Sequence, residues 1–94
     1  MRIASFRNRE LERFWRNGEV RGMARQYEQK LRAMLTVIEE AETVDELATV
    51  PGWRLHPLKG DRRGVWSLKL SRNFRLTFRV EGRTASEVNV EDYH

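Results

Sequence analysis

After Gly52 the apolar residues of this chain change from a helical to a two-residue period, and the change divides it into two kinds of structure. Before it, Leu11, Phe14 and Trp15 mark the inner face of a helix over about residues 9–17, with Asn8 as its N-cap and Gly18 as its stop. Tyr27, Leu31, Met34, Leu35 and Ile38 form one apolar stripe, which predicts a single longer helix from Gly22 or Met23 to Ala41. Thr43 and Glu46 make a capping box for a short third helix that stops before Val50-Pro51-Gly52. Ile3-Ala4-Ser5-Phe6 reads as a short first strand.

Beyond Gly52, Trp66, Leu68 and Leu70 face one way, and Val65, Ser67 and Lys69 the other. The next strand repeats the pattern, with Phe74, Leu76, Phe78 and Val80 inside and Arg75, Thr77 and Arg79 outside. Ser71-Arg72-Asn73 and Glu81-Gly82 suit hairpin turns, and a last strand over about 86–91 turns Val88 and Val90 inward. Helices followed by an antiparallel meander predict an α+β fold with the helices on one sheet face. The other face, bearing Lys69, Arg75 and Arg79, is left for solvent or a ligand.

Neither repeats nor linkers interrupt the 94 residues, so one domain over 1–94 is expected. A hydrophobic content of 39% is enough for a core. The absence of cysteine excludes disulfides and thiolate zinc sites. With no export signal or membrane-length apolar run either, a soluble cytoplasmic protein is expected.

The net charge of +4 is unevenly spread. Residues 1–52 are neutral, with nine basic and nine acidic groups. Residues 53–80 carry Arg54, Lys59, Arg62, Arg63, Lys69, Arg72, Arg75 and Arg79 against one acid, Asp61. An acidic tail follows. A basic block of this kind suits a polyanion, although a solvated charged surface has the same composition.

The two histidines fall at His56, three residues before Lys59, and at His94, after Asp92-Tyr93. Metal-free RNA cleavage needs a base for the ribose 2′-OH, an acid for the departing 5′ oxygen, and cations around the phosphate. Histidine suits the proton transfers and arginine grips phosphate, while an aromatic ring holds an unstacked base. His56, Lys59, Arg75, Asp92, Tyr93 and His94 supply these parts, with Asp92 available to orient a histidine. No cofactor is expected. Arg54, Arg62, Arg63, Lys69 and Arg79 are candidates for RNA phosphates, and the first four are expected to flank the site without converging on it.

Each residue has a plainer reading. His56 before proline suits a turn, His94 is a chain end, and Tyr93 can close the core edge. Arg75 and Arg79 can pair with Glu87 and Glu91 across the sheet. His56, Asp92 and His94 also form a donor set for a metal, but without a metal-motif spacing.

At these residues the sequence resembles the HigB (host inhibition of growth) toxins of the RelE/ParE superfamily. The resemblance is carried by Leu55-His56-Pro57-Leu58-Lys59-Gly60-Asp61-Arg62-Arg63-Gly64-Val65-Trp66-Ser67, by Ser71-Arg72-Asn73-Phe74-Arg75-Leu76-Thr77-Phe78, and by the ending Val90-Glu91-Asp92-Tyr93-His94. It spans 1–94, strongly after Pro51 and loosely in the helices; at Phe74 the family often has tryptophan. The resemblance implies a RelE-like fold and an endoribonuclease toxin that cleaves translated mRNA in the ribosomal A site. It also implies a helix-turn-helix antitoxin of the HigA type. His56, Lys59, Asp92, Tyr93 and His94 match the family's active-site positions, and Arg75 its phosphate-stabilising arginine. The superfamily also holds ParE-like gyrase poisons, which lack the clustered histidines. A non-catalytic RNA- or ribosome-binding module would keep the arginines and have no need of His94.

Overall fold

The computed structural model describes residues 1–93, and the first helix shows how local chemistry sets its elements. Asn8 accepts a hydrogen bond from the Leu11 N–H at 3.0 Å and opens α1 (Arg9–Asn17). Gly18, at φ 74°, closes it in the left-handed conformation that costs glycine little. Leu11 and Phe14 are buried beneath it.

The single long helix expected over 22–41 is two helices, α2 (Gly22–Gln26) and α3 (Glu28–Glu40). They meet at Tyr27, whose φ of −119° and ψ of 28° leave the helical region. Tertiary contacts hold both sides of the break. The Glu10 carboxylate accepts from the Met23 N–H at 3.0 Å and caps α2, while the Tyr27 ring meets Phe74 edge-on at 6.2 Å. The apolar stripe survives, because Leu31, Met34, Leu35 and Ile38 all remain fully buried on α3. The N-terminal ammonium of Met1 donates to the Ile38, Glu39 and Ala41 carbonyls and caps the C-terminal end of α3. The capping box of Thr43 and Glu46 forms as expected, opening a 3-10 helix over Val44–Thr49.

The sheet has five strands in the order β1-β5-β4-β3-β2. They are β1 (Arg2–Ile3), β2 (His56–Pro57), β3 (Val65–Lys69), β4 (Phe74–Glu81) and β5 (Thr84–Asp92). β1 runs parallel to β5, and the remaining neighbours are antiparallel. Leu68, Leu70, Leu76, Phe78, Ala85 and Val88 cover one sheet face and form one buried cluster with the helix residues. This is the expected α+β arrangement.

Three details of the sheet depart from the sequence reading. The first strand is shorter than 3–6: after Ile3 only Phe6 returns to the sheet, bridging Val88. β2 was not anticipated, although a residue before proline is biased toward extended backbone, as His56 is. In β5, Glu87 and Val88 together oppose the single residue Phe78, and Glu87 takes φ 52°. This β-bulge resets the alternation, so both Ala85 and Val88 point into the core and Glu87 is left exposed.

Candidate active site

Residues directly opposite in neighbouring strands share a sheet face, so the register defines what meets on the side away from the helices. One row runs His56–Ser67–Thr77–Asn89 across β2, β3, β4 and β5. The next runs Lys69–Arg75–Glu91, and Tyr93 continues the phase of Glu91 two residues further on. His56, Arg75 and Tyr93 therefore come from three separate segments to one face. His56 is exposed at the sheet edge, and Arg75 lies two strands in and two residues along. Ideal strand spacings put their backbones roughly 12 Å apart, a gap that two long side chains and a phosphodiester can span.

Tyr93 is held by its N–H, which donates to the Asn73 carbonyl at 2.9 Å, and its ring is 42% exposed. The Arg75 guanidinium carbon stands 5.5 Å from the centroid of that ring. The Arg75 Nε is buried and has no hydrogen-bond partner among the described residues.

The centre of the face is built around Glu91. Arg62 grips its carboxylate with both terminal nitrogens, at 2.7 Å and 2.5 Å. The Thr77 hydroxyl donates to it at 2.6 Å, and a terminal nitrogen of Arg75 lies at 3.7 Å. The Arg62 hydrogen bond is the chief reason that the carboxyl falls from its ordinary 4.5 to about 2. Burial opposes the shift, and Thr77 and the charges of Arg62 and Arg75 add to it. Arg62 is shifted upward by the same bond.

Beyond Arg62, Arg79 pairs with Glu87 at 3.0 Å and donates to the Arg63 carbonyl at 3.2 Å. Gly64, at φ 93°, permits this approach, since a Cβ there would lie 2.9 Å from the Arg79 guanidinium. A pocket of about 150 Å³ opens here among Arg7, Asp61, Arg62, Val65, Arg79 and Glu87.

The expected residues fare differently. Lys59 is exposed, three residues after His56, where the chain enters the 3-10 helix Gly60–Arg62. Lys69 stands on the face, opposite Arg75 in register, while Arg54, with φ 49°, and Arg63 are exposed. Arg62 was expected to flank the site without converging on it. Instead it lies at the centre, because the loop after β2 folds over the sheet and Glu91 draws its guanidinium in. Asp92 pairs with Phe74 and so has the phase opposite to His56, which does not favour it as a partner for that imidazole. The roles expected of His94 lie outside the described residues. Arg75 and Arg79 do pair with Glu91 and Glu87. The sequence reading missed Glu91 and Thr77 as organisers of the site. Their only signal was the outward phase they share with Arg75.

Residues 4–94 match the family model described as RelE-like toxin of type II toxin-antitoxin system HigB. The chain is 36% identical over 92 residues to the endoribonuclease HigB of Proteus vulgaris, covering 98% of this chain and 99% of that protein. Among solved structures, YafQ from E. coli strain BL21(DE3) superposes with a TM-score of 0.65 at 10% identity, over 99% of this chain and 94% of that one. The YoeB/ParE toxin from Agrobacterium tumefaciens gives 0.61 at 18% identity, over 100% of both chains. A YoeB–YefM complex from Staphylococcus aureus gives 0.56 at 17% identity, over 100% of this chain and 99% of that one. At these identities the structural likeness speaks for the fold.

Proposed function

The chain belongs to the HigB-like family of RelE-like toxins of type II toxin–antitoxin systems, and from that premise we propose that it is an endoribonuclease that cuts mRNA in the ribosomal A site. In this reading the ribose 2′-OH loses its proton to a base and attacks the adjacent phosphorus. The bond to the 5′ oxygen breaks and that oxygen takes a proton, leaving a 2′,3′-cyclic phosphate and a 5′-hydroxyl. His56 and His94 share the base and acid roles, a task suited to imidazole near neutral pH without a metal. Arg75 meets the phosphate as its charge grows, and Lys59 adds a second cation. Tyr93 stacks on a base drawn from the mRNA. Asp92 precedes Tyr93 and His94 in sequence, and its part is to support His94.

The observation that carries this reading is the common face of His56, Arg75 and Tyr93, with an exposed ring beside the arginine. Lys69 on the same face and the exposed Arg54 and Arg63 suit rRNA phosphates. A helix-turn-helix antitoxin of the HigA type is the partner proposed from the family.

The test is a single-turnover reaction on programmed ribosomes, with both product ends identified. Cleavage in the A-site codon with a 2′,3′-cyclic phosphate is expected. Intact mRNA, or a 5′-phosphate product, would overturn the reading. Inhibition of gyrase instead would move the chain to the ParE-like activity.

A further inference from the structure

We propose that Glu91 is a positioning residue. Together with Thr77 it holds Arg62 over the sheet, and so fixes the loop that follows His56 and Lys59 against the strand that carries Tyr93. The inference rests on the function proposed above and adds to it how the two halves of the site are held in register.

The loop needs such a tether. β2 is only two residues long, and the 3-10 helix Gly60–Arg62 buries no side chain against the protein. Within the loop, the Arg62 and Arg63 N–H groups bond only locally, to the Lys59 and Gly60 carbonyls. Apolar packing therefore cannot hold this helix, and polar ties must. Among the ties described, the Arg62–Glu91 pair crosses 29 residues of sequence and uses both oxygens of the carboxylate. Such two-pronged charged bonds fix direction as well as distance. Glu91 is itself fixed from beneath, because Thr77 is 1% exposed and donates to Oε2 at 2.6 Å. A strand that carries Tyr93 and a loop that begins at Lys59 are thus joined directly through this carboxylate. Arg79, between Glu87 and the Arg63 carbonyl, ties the far end of the loop.

The chemistry of the face also requires an explanation for Glu91. A bare carboxylate beside Arg75 would repel an RNA phosphate and lower the positive potential needed there. Pairing with Arg62 offsets that charge and leaves Arg75, at 3.7 Å from the carboxylate, without a close ion pair to it. Arg62 is in this view a strut and not a phosphate ligand.

The experiment compares wild type with Glu91→Gln, Thr77→Val, Arg62→Ala and the swapped pair Arg62→Glu with Glu91→Arg. Hydrogen exchange of the amides in 58–64 is measured on the free proteins, and single-turnover mRNA cleavage is measured across a range of programmed ribosome concentrations. Glu91→Gln is expected to speed exchange in 58–64 and to lower the saturating cleavage rate about tenfold or more. A small misplacement of reacting groups can cost on the order of 100-fold. The half-saturating ribosome concentration should stay within about threefold. The swapped pair should recover most of the rate, because it restores the tie with its direction reversed. Thr77→Val should show the same signature more weakly and covers the case in which Glu91→Gln fails to fold. Unchanged exchange and rate in the folded variants would overturn the proposal. So would faster cleavage with tighter ribosome binding in Glu91→Gln, since the carboxylate would then be merely competing with phosphate. Loss of ribosome affinity alone in Arg62→Ala would likewise make Arg62 a phosphate ligand. Were wild type itself unable to cut mRNA, the proposed function would fall, and the exchange measurement would still decide whether Glu91 holds the loop.

Discussion

The guanidinium of Arg75 stands 5.5 Å from the ring centroid of Tyr93, joining β4 to the end of β5 on the face away from the helices. The contact places a cation beside an exposed aromatic surface, an arrangement suited to a nucleotide whose phosphate and base are gripped together. It also separates two roles that substitutions can distinguish.

Replacing Arg75 by alanine should slow cleavage by about 10²–10³ at saturating ribosomes, the usual loss for one preorganised charge. Tyr93→Ala should instead weaken substrate engagement by about 1–3 kcal/mol, the range for one base stacked on an aromatic ring. Tyr93→Phe keeps the ring and should stay close to wild type. Single-turnover rates at varied ribosome concentration check all three. A Tyr93→Phe defect as large as that of Tyr93→Ala would assign the chemistry to the hydroxyl.

Deleting His94 should abolish growth inhibition and reduce cleavage by roughly 10²–10⁴, the range for a positioned acid or base. This expectation comes from the sequence and the family resemblance, since His94 lies outside the described residues. Thermal unfolding and antitoxin binding should be almost unchanged, which separates lost chemistry from lost folding. A deletion variant that still cuts at the wild-type rate would leave His56 and Lys59 as the proton-transfer pair.

The Glu91 carboxyl is lowered to about 2 from an ordinary 4.5, chiefly by its hydrogen bond from Arg62. In that interval the unfolded chain binds the extra proton, so stability rises with pH. The contribution is full above about pH 4.5 and is lost as pH falls toward 2. At about 1.36 kcal/mol per unit its upper limit is about 3 kcal/mol, and solvent screening around the 39% exposed Arg62 lowers it. Urea unfolding of wild type and Glu91→Gln should differ at pH 7 and converge between pH 4.5 and 2. A constant difference across that range would mean that the lost stability is packing and not charge.

Ribosome binding should fall steeply with salt, and Arg63→Ala should lower the slope by about 0.7–0.9 if this exposed side chain meets one phosphate. Removing Arg62 and Glu91 together, as Arg62→Ala with Glu91→Gln, leaves the net charge unchanged and should leave the slope unchanged. Equilibrium binding between 50 and 200 mM salt, on the order of the range where such contacts are resolved, makes the comparison. An unchanged slope in Arg63→Ala would make Arg63 a solvated turn residue.

Much of this architecture was legible without coordinates because it is written in local periodicity. The Asn8 cap, the Gly18 stop and the Thr43–Glu46 box are short-range bonds, and each forms. The alternation through β3 and β4 put Arg75, Thr77 and Arg79 on one face, where the register keeps them. The break at Tyr27 was not legible, because its apolar stripe is continuous. Glu10 and Phe74, both distant in sequence, hold the two sides of it. The bulge at Glu87 escaped for a similar reason. Only pairing with Phe78 reveals that β5 has one residue too many.

By itself the sequence determined most of the element types and the polar face, since these depend on neighbours a few positions apart, and it offered candidates for cutting RNA. It set Arg62 among the phosphate contacts that flank the site, because a basic turn looks the same whether it faces solvent or a carboxylate. The folded chain decided otherwise by laying the loop after β2 over the sheet, where Glu91 lies 29 residues away in sequence and within hydrogen-bond reach. Bonds of such separation form only when the whole sheet has assembled, so no local pattern encodes them.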